Sequence, residues 1–227
     1  MSTLSDPARF TRVSVAGSMI GAAVLMLGAA IAAPAIKSDE AAQIAVIAQH
    51  PARYYLFTIL ILGSSMLFVP ALIGLMRLGA GRSPRLAHIG GTLSLFGALV
   101  AVGDSMSQLV IWQMGADGAN RAQMAALLHR FDNVAGASLV FALGGLAIVI
   151  GMVLLSIALY RSRTAPAWAA AALVAGMVLN IVGFSSASTG VLIFSGVVLL
   201  AGFGWIARTM LGRDARARGF ELAPSSP

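Results

Sequence analysis

Cysteine is absent from the 227 residues. That excludes disulfides, thiolate metal sites, covalent haem attachment and a cysteine nucleophile. Lysine occurs once, as Lys37. No apolar segment therefore holds the amine for a retinal Schiff base, and no phosphate-binding GxxxxGK exists. There is no HExxH zinc-protease helix, no aspartate-rich pair for a prenyl-diphosphate metal cluster, and no serine matched to a histidine at membrane depth. Charge is also scarce: 10% of residues, against about 25% in an ordinary soluble domain. The net charge of +7 does not point to nucleic acid. The cations flank apolar blocks and form no basic stripe interleaved with aromatics.

What the chain has in abundance is apolar sequence: 59% hydrophobic residues and a mean hydropathy of +0.90. These residues come in six blocks, Val13–Ala33, Tyr54–Leu75, Leu86–Trp112, Val134–Tyr160, Ala167–Phe184 and Thr189–Ala207. Crossing about 30 Å of hydrocarbon takes about 20 residues at 1.5 Å each. Each block is long enough, the fifth being the shortest. The expected fold is all-α: a polytopic membrane protein of six transmembrane helices in three hairpins. Residues 1–12 form an N-terminal segment, 13–208 a single membrane domain and 209–227 a tail. Arg9 and Arg12, the apolar run and Ala-Ala-Pro-Ala at 32–35 resemble a secretory signal. The run exceeds the usual 7–15 residues of a signal core, so an uncleaved first helix is expected.

Orientation follows from the 15 Lys and Arg residues. Arg9, Arg12, Arg77, Arg82, Arg85, Arg161, Arg163, Arg208, Arg213, Arg216 and Arg218 fall on one side, and Lys37, Arg53, Arg121 and Arg130 on the other. Cations are retained in the cytoplasm, so both termini are expected inside. Tyr54, Tyr55, Trp112, Tyr160, Trp168 and Trp205 all lie at block ends, where amphipathic rings prefer the headgroup level. The expected location is a bacterial cytoplasmic (inner) membrane, with the lipid bilayer as partner.

The connections carry their own signals. Ala42-Gln43-Ile44-Ala45 and Ala122-Gln123-Met124-Ala125 occupy equivalent loops, each leading past a histidine (His50 or His129) to an arginine at the far end of the next block (Arg77 or Arg161). The spacing suggests a repeat over 12–77, 85–161 and 166–208, the last with a shortened loop; Ala-rich coincidence is the competing explanation. Ser38 or Asp39 suits the N-cap of a helix over Ala41–Gln49 ended by Pro51, and Asn120 the cap of another. Either pair of helices roofs the bundle or lies on the membrane surface. Gly17 with Gly21, and Gly97 with Ala101, are small-residue pairs suited to close helix approach within the bundle or across a homodimer. Pro70, within the second block, leaves the Met66 carbonyl without its helical donor.

Asp104 is the one acid deep inside a block. A carboxylate there costs a few kcal/mol or more unless it is paired or protonated. Counting rise along the helix places it about 12 Å below Trp112. Gln108 and Trp112 follow on the same face, Ser107 is adjacent, and Asn180 lies at a similar depth on the fifth block. Two readings fit. In one, Asp104, Ser107, Gln108 and Asn180 form an outward-facing pocket for a cation, cationic ligand or proton, with Tyr54, Tyr55, His129 and Asp132 near its mouth. In the other, the same groups are a structural hydrogen-bond cluster. No catalytic set, metal site or cofactor is expected: the histidines match no compact ligand spacing, and His50 and His129 lie in loops and His88 at the very end of the third block, whereas a haem held between helices needs histidines within the spans.

Arg12 leading into the first block, the loop Ser38-Asp39-Glu40-Ala41-Ala42 with Ile44 and Ala48, and the Leu-rich second block closing on Arg77 form an arrangement. In it the chain resembles a class of small six-helix bacterial membrane proteins built from domains of unknown function. The resemblance covers most of the chain; it implies six helices and supplies no activity. Two functions remain open: a small transporter or ligand-binding membrane protein centred on Asp104, or a structural or partner-binding subunit without catalytic activity.

Overall fold

The computed structural model describes residues 7–34, 39–115 and 119–221. The described residues contain eight helices and no strand. They are α1 (Pro7–Ala32), α2 (Glu40–Gln49), α3 (Pro51–Gly79), α4 (Pro84–Met114), α5 (Arg121–Asp132), α6 (Ala135–Arg161), α7 (Ala167–Ser185) and α8 (Thr189–Glu221). Six of them, α1, α3, α4, α6, α7 and α8, are long and apolar enough to cross a membrane. The protein is an all-α, multi-pass membrane protein. Lys37 and Ser38, and the side chains of Arg9, Asp132, Arg213, Arg216 and Arg218, lie outside what the structure describes.

The spans pair as three antiparallel hairpins, α1 with α3, α4 with α6 and α7 with α8. Contacts of α8 with α1, α3 with α4 and α6 with α7 close them into a ring, and α3 reaches α6 across it. Of the neighbouring pairs in the ring, α6 and α7 touch least. One end of the bundle collects Arg12, Arg77, Arg82, Arg85, Arg161, Arg163 and Arg208; it is called the arginine end below. The other carries α2 and α5 and is called the roofed end.

Small residues set the tightest contact. Along α4 and α6, Gly90 meets the backbone of Gly151 and Leu155, Ser94 meets Gly151, and Gly97 meets Gly144 and Ile148. The partners advance along one helix as they retreat along the other, the register of an antiparallel pair. A methyl group on Gly97 would come within 2.5 Å of the Gly144 carbonyl oxygen and 2.6 Å of Ile148 Cβ. Gly21 also packs inside the chain, against Leu67. Gly17 does not: it is exposed, and no atom lies within 4 Å of where its Cβ would stand. A four-residue spacing puts two glycines on neighbouring turns, but α1 rotates only the second toward α3.

Toward the arginine end the ring is filled by Met19, Leu72, Leu75, Met152, Leu155, Leu159, Leu173, Leu199 and Phe203, each almost wholly buried. Several polar groups among the helices are tied down, while the buried hydroxyls of Ser94 and Ser156 have no hydrogen-bond partner among the described residues. Ser64 Oγ donates to the Ala22 carbonyl across α1 and α3 at 2.8 Å, and the Ser65 and Ser105 hydroxyls share a hydrogen bond of 3.2 Å between α3 and α4. Arg53 donates from Nε to the Ala32 carbonyl and from Nη2 to that of Ala33, at 2.9 and 3.0 Å, so it caps carbonyls that α1 leaves open at its end. Pro70 sits inside α3, which continues unbroken to Gly79. Past the apolar span, which ends at Gly212, α8 runs on as helix to Glu221. Its Ala- and Arg-rich sequence favours helix and holds no proline to stop it.

These contacts predict unequal glycine substitutions. Gly97→Ala should destabilise the protein by about 1–3 kcal/mol through overpacking against backbone. Gly17→Ala should change stability by no more than about 0.5 kcal/mol. Unfolding of both variants by SDS in mixed micelles checks the contrast.

Candidate functional site

At the roofed end, each of the first two hairpins inserts a short helix between its spans. Asp39 starts α2 by accepting from Ala42 N at 2.7 Å, and Asn120 starts α5 by accepting from Gln123 N at 3.2 Å. The two helices pack on each other. Ile44 and Ile47 of α2, Leu128 of α5 and Met114 of α4 bury a shared cluster together with Tyr54. Across their polar side, His129 Nδ1 lies 3.0 Å from Glu40 Oε1. A carboxylate only accepts, so the imidazole donates. This hydrogen bond holds the Glu40 carboxyl below the usual carboxylate range.

Tyr54 is the keystone under this roof. It is only 3% exposed, and its hydroxyl donates to Gln108 Oε1 at 2.6 Å. Gln43 of α2 is within hydrogen-bonding reach of the same hydroxyl, and Asp104 within electrostatic reach. Tyr55, the next residue, points to the flank: 43% exposed, it lies against Trp112 with ring centroids 4.8 Å apart. Trp112 Nε1 in turn donates to the Pro51 carbonyl at 3.0 Å.

Below the roof, where α6 and α7 part, lies a cavity of about 690 Å³. Its walls are largely apolar, from Phe68 on α3, Val100 on α4, Phe141 and Ile148 on α6, and Met177 and Phe184 on α7. Asp104 and Asn180 both line it, with Ser64, Ser65 and Ser185. Leu146 and Ile181 also line it and are 58% and 37% exposed on the outer surface, so the space reaches the flank between α6 and α7. Asn180 is held by its amide nitrogen, which donates to Ser195 Oγ at 3.4 Å and points at Met26 Sδ at 3.7 Å. That fixes the amide at the junction of α7, α8 and α1.

The structure thus divides the expected pocket into two layers. Asp104 and Asn180 belong to the cavity. Gln108 is drawn up to Tyr54 instead, and Ser107 Oγ donates back to the Asp104 carbonyl at 2.7 Å; neither lines the cavity. Tyr54 is buried under the roof rather than standing at a mouth, and Tyr55 stands on the flank. His129 is in the roof, and the side chain of Asp132 lies outside the described residues. Sequence reasoning passed over Glu40 as a partner and Gln43 as a ligand of Tyr54. The only signal for either was their place in the first turn of a capped helix.

The family described as DUF4386, a domain of unknown function, matches residues 15–212. The chain belongs to that family. The DUF4386 match begins in α1 and ends in α8, so it takes in all six spans, the roof and the cavity. No curated protein and no solved structure matches the chain.

The Glu40–His129 pair sets a pH dependence. A carboxyl with a lowered folded-state value favours the fold when ionised. Its contribution is present above the ordinary value of 4.5 and lost as pH falls through the lower, folded value. Thermal melts from about pH 6 to pH 3 should show a shallower acid-side decline in Glu40→Gln than in the wild type. Parallel declines would show that the pair contributes nothing.

Proposed function

We propose that this protein is a small transporter or ligand-binding membrane protein whose ligand occupies the cavity at Asp104. The observation that carries the reading is the chemistry of the walls: one carboxylate, one fixed amide and three serines in a largely apolar space between spans. A carboxylate at membrane depth is expensive and marks ligand, ion or proton sites by default. A small inorganic cation would call for a cage of oxygen ligands, whereas these walls are mostly hydrocarbon. The fit is to an organic cation with a substantial apolar body. Its charge would sit at Asp104, Asn180 would orient it, and its body would fill the space between Phe68, Phe141 and Met177. The opening past Leu146 and Ile181 suits a ligand that arrives through the lipid.

The roofed end faces outward in this reading, because the arginine end holds most of the cations and cations are retained in the cytoplasm. The host is then a bacterial cytoplasmic membrane, with both termini inside. A partner-binding role draws less support, since Gly21 and Gly97 pack within the chain and α2 and α5 pack on each other. Gly17 remains as an open small-residue face for a second copy.

The test is equilibrium binding of tetraphenylphosphonium to purified protein in mild detergent. Asp104→Asn should weaken binding at least about tenfold, or 1.4 kcal/mol, the loss of one charge contact. An uncharged molecule of similar size should bind wild type and variant alike. Equal affinity of wild type and Asp104→Asn for the cation would refute the reading.

A further inference from the structure

A second cavity, of about 780 Å³, lies at the arginine end. It is formed by the end of α6, the connection into α7, and α8, with Tyr160, Arg163, Thr164, Trp205, Arg208 and Thr209 in its walls. Its composition is the reverse of the Asp104 cavity: two guanidinium groups, three hydroxyls and no acid. Among the described residues neither Arg163 nor Arg208 pairs with a carboxylate.

The backbone brings the first arginine there at a cost. Arg163 has φ of 55°, in the left-handed region that favours glycine. It stands where a helix is usually closed by glycine: Arg163 N donates to the Tyr160 carbonyl and Thr164 N to that of Leu159, at 3.0 and 3.1 Å. The closure needs the turn but not the guanidinium.

Both arginines lie at the headgroup level. Tyr160 and Trp205 are exposed beside them, and Trp205 packs edge-on against Trp168 with centroids 5.2 Å apart. Amphipathic rings of this kind mark the interface between hydrocarbon and water. A guanidinium presents a planar fork of donors that matches phosphate oxygens, and two forks beside hydroxyl groups suit one phosphodiester. The apolar flank below suits acyl chains.

We infer that Arg163 and Arg208 form a binding site for the phosphate of an anionic phospholipid, in the leaflet at the arginine end. The site is independent of the Asp104 cavity, and its test uses none of the residues there. Bound lipid bridges the α6–α7 connection to α8.

The experiment follows the thermal unfolding of the full chain in mild detergent, with added phosphatidylglycerol, phosphatidylcholine or inorganic phosphate. Phosphatidylglycerol should raise the midpoint of the wild type by about 3 °C or more, and phosphatidylcholine by much less. Arg208→Gln should lose most of that shift, and Arg208→Lys should retain part of it. Arg163→Gly removes the guanidinium while relieving the positive φ, so it should melt no lower than wild type without lipid and still lose the shift. That variant separates lost binding from poor folding. Equal shifts with phosphatidylcholine, or an undiminished shift in both Arg163→Gly and Arg208→Gln, would overturn the proposal. A full shift with inorganic phosphate alone would overturn the lipid source and assign the site to a soluble phosphate.

Discussion

Hydrocarbon offers a peptide group no hydrogen-bond partner, and every other feature of this protein is arranged around that fact. Six apolar runs can cross only as helices, each satisfying its own backbone. Much of what remains polar is then met by a neighbour, the buried Ser94 and Ser156 hydroxyls excepted. Arg53 covers the open carbonyls of α1, Ser64 bonds to the backbone of α1, and Asn180 is braced by Ser195. Close helix approach does the rest, because lipid supplies no hydrophobic drive to associate. The α4–α6 glycines are its main instrument here. The ring is dense toward the arginine end and opens where α6 and α7 part, and that opening is the Asp104 cavity.

The spans were legible because a run of about 20 apolar residues has one solution in a bilayer. Aromatic residues marked their ends, and Asp39 and Asn120 announced the two short helices by side chains that cap a first turn. Counting rise per residue put Asp104 and Asn180 at similar depth, and both are wall residues of one cavity. Other features had no local signature. The spacing of Gly17 and Gly21 says which side of α1 they share and nothing about which turn meets α3. Periodicity put Gln108 on the Asp104 face, yet Tyr54 arrives from another helix and takes it. The pairing of Glu40 with His129 joins residues 89 apart in sequence. The run of α8 to Glu221 reflects helix propensity outlasting hydropathy.

The roof and the cavity are joined through Tyr54. Its ring is buried in the α2–α5 cluster, its hydroxyl holds Gln108, and Asp104 lies on the same helix one turn below Gln108. The roof is therefore linked, through Tyr54 and Gln108, to the helix that carries the acid. Under the proposed reading this arrangement closes the cavity toward water while leaving its flank open to lipid, which matches a ligand that partitions into the bilayer before it binds.

The claim on which the reading rests is that Asp104 is kept for a ligand and not for the fold. Its most direct test compares the thermal stability of purified wild type and Asp104→Asn in mild detergent, without ligand, from about pH 5 to pH 8. A carboxylate held in hydrocarbon for binding is a tolerated cost, so the asparagine variant should be as stable as the wild type or more so. A variant markedly less stable at every pH would make Asp104 a structural brace and contradict the account.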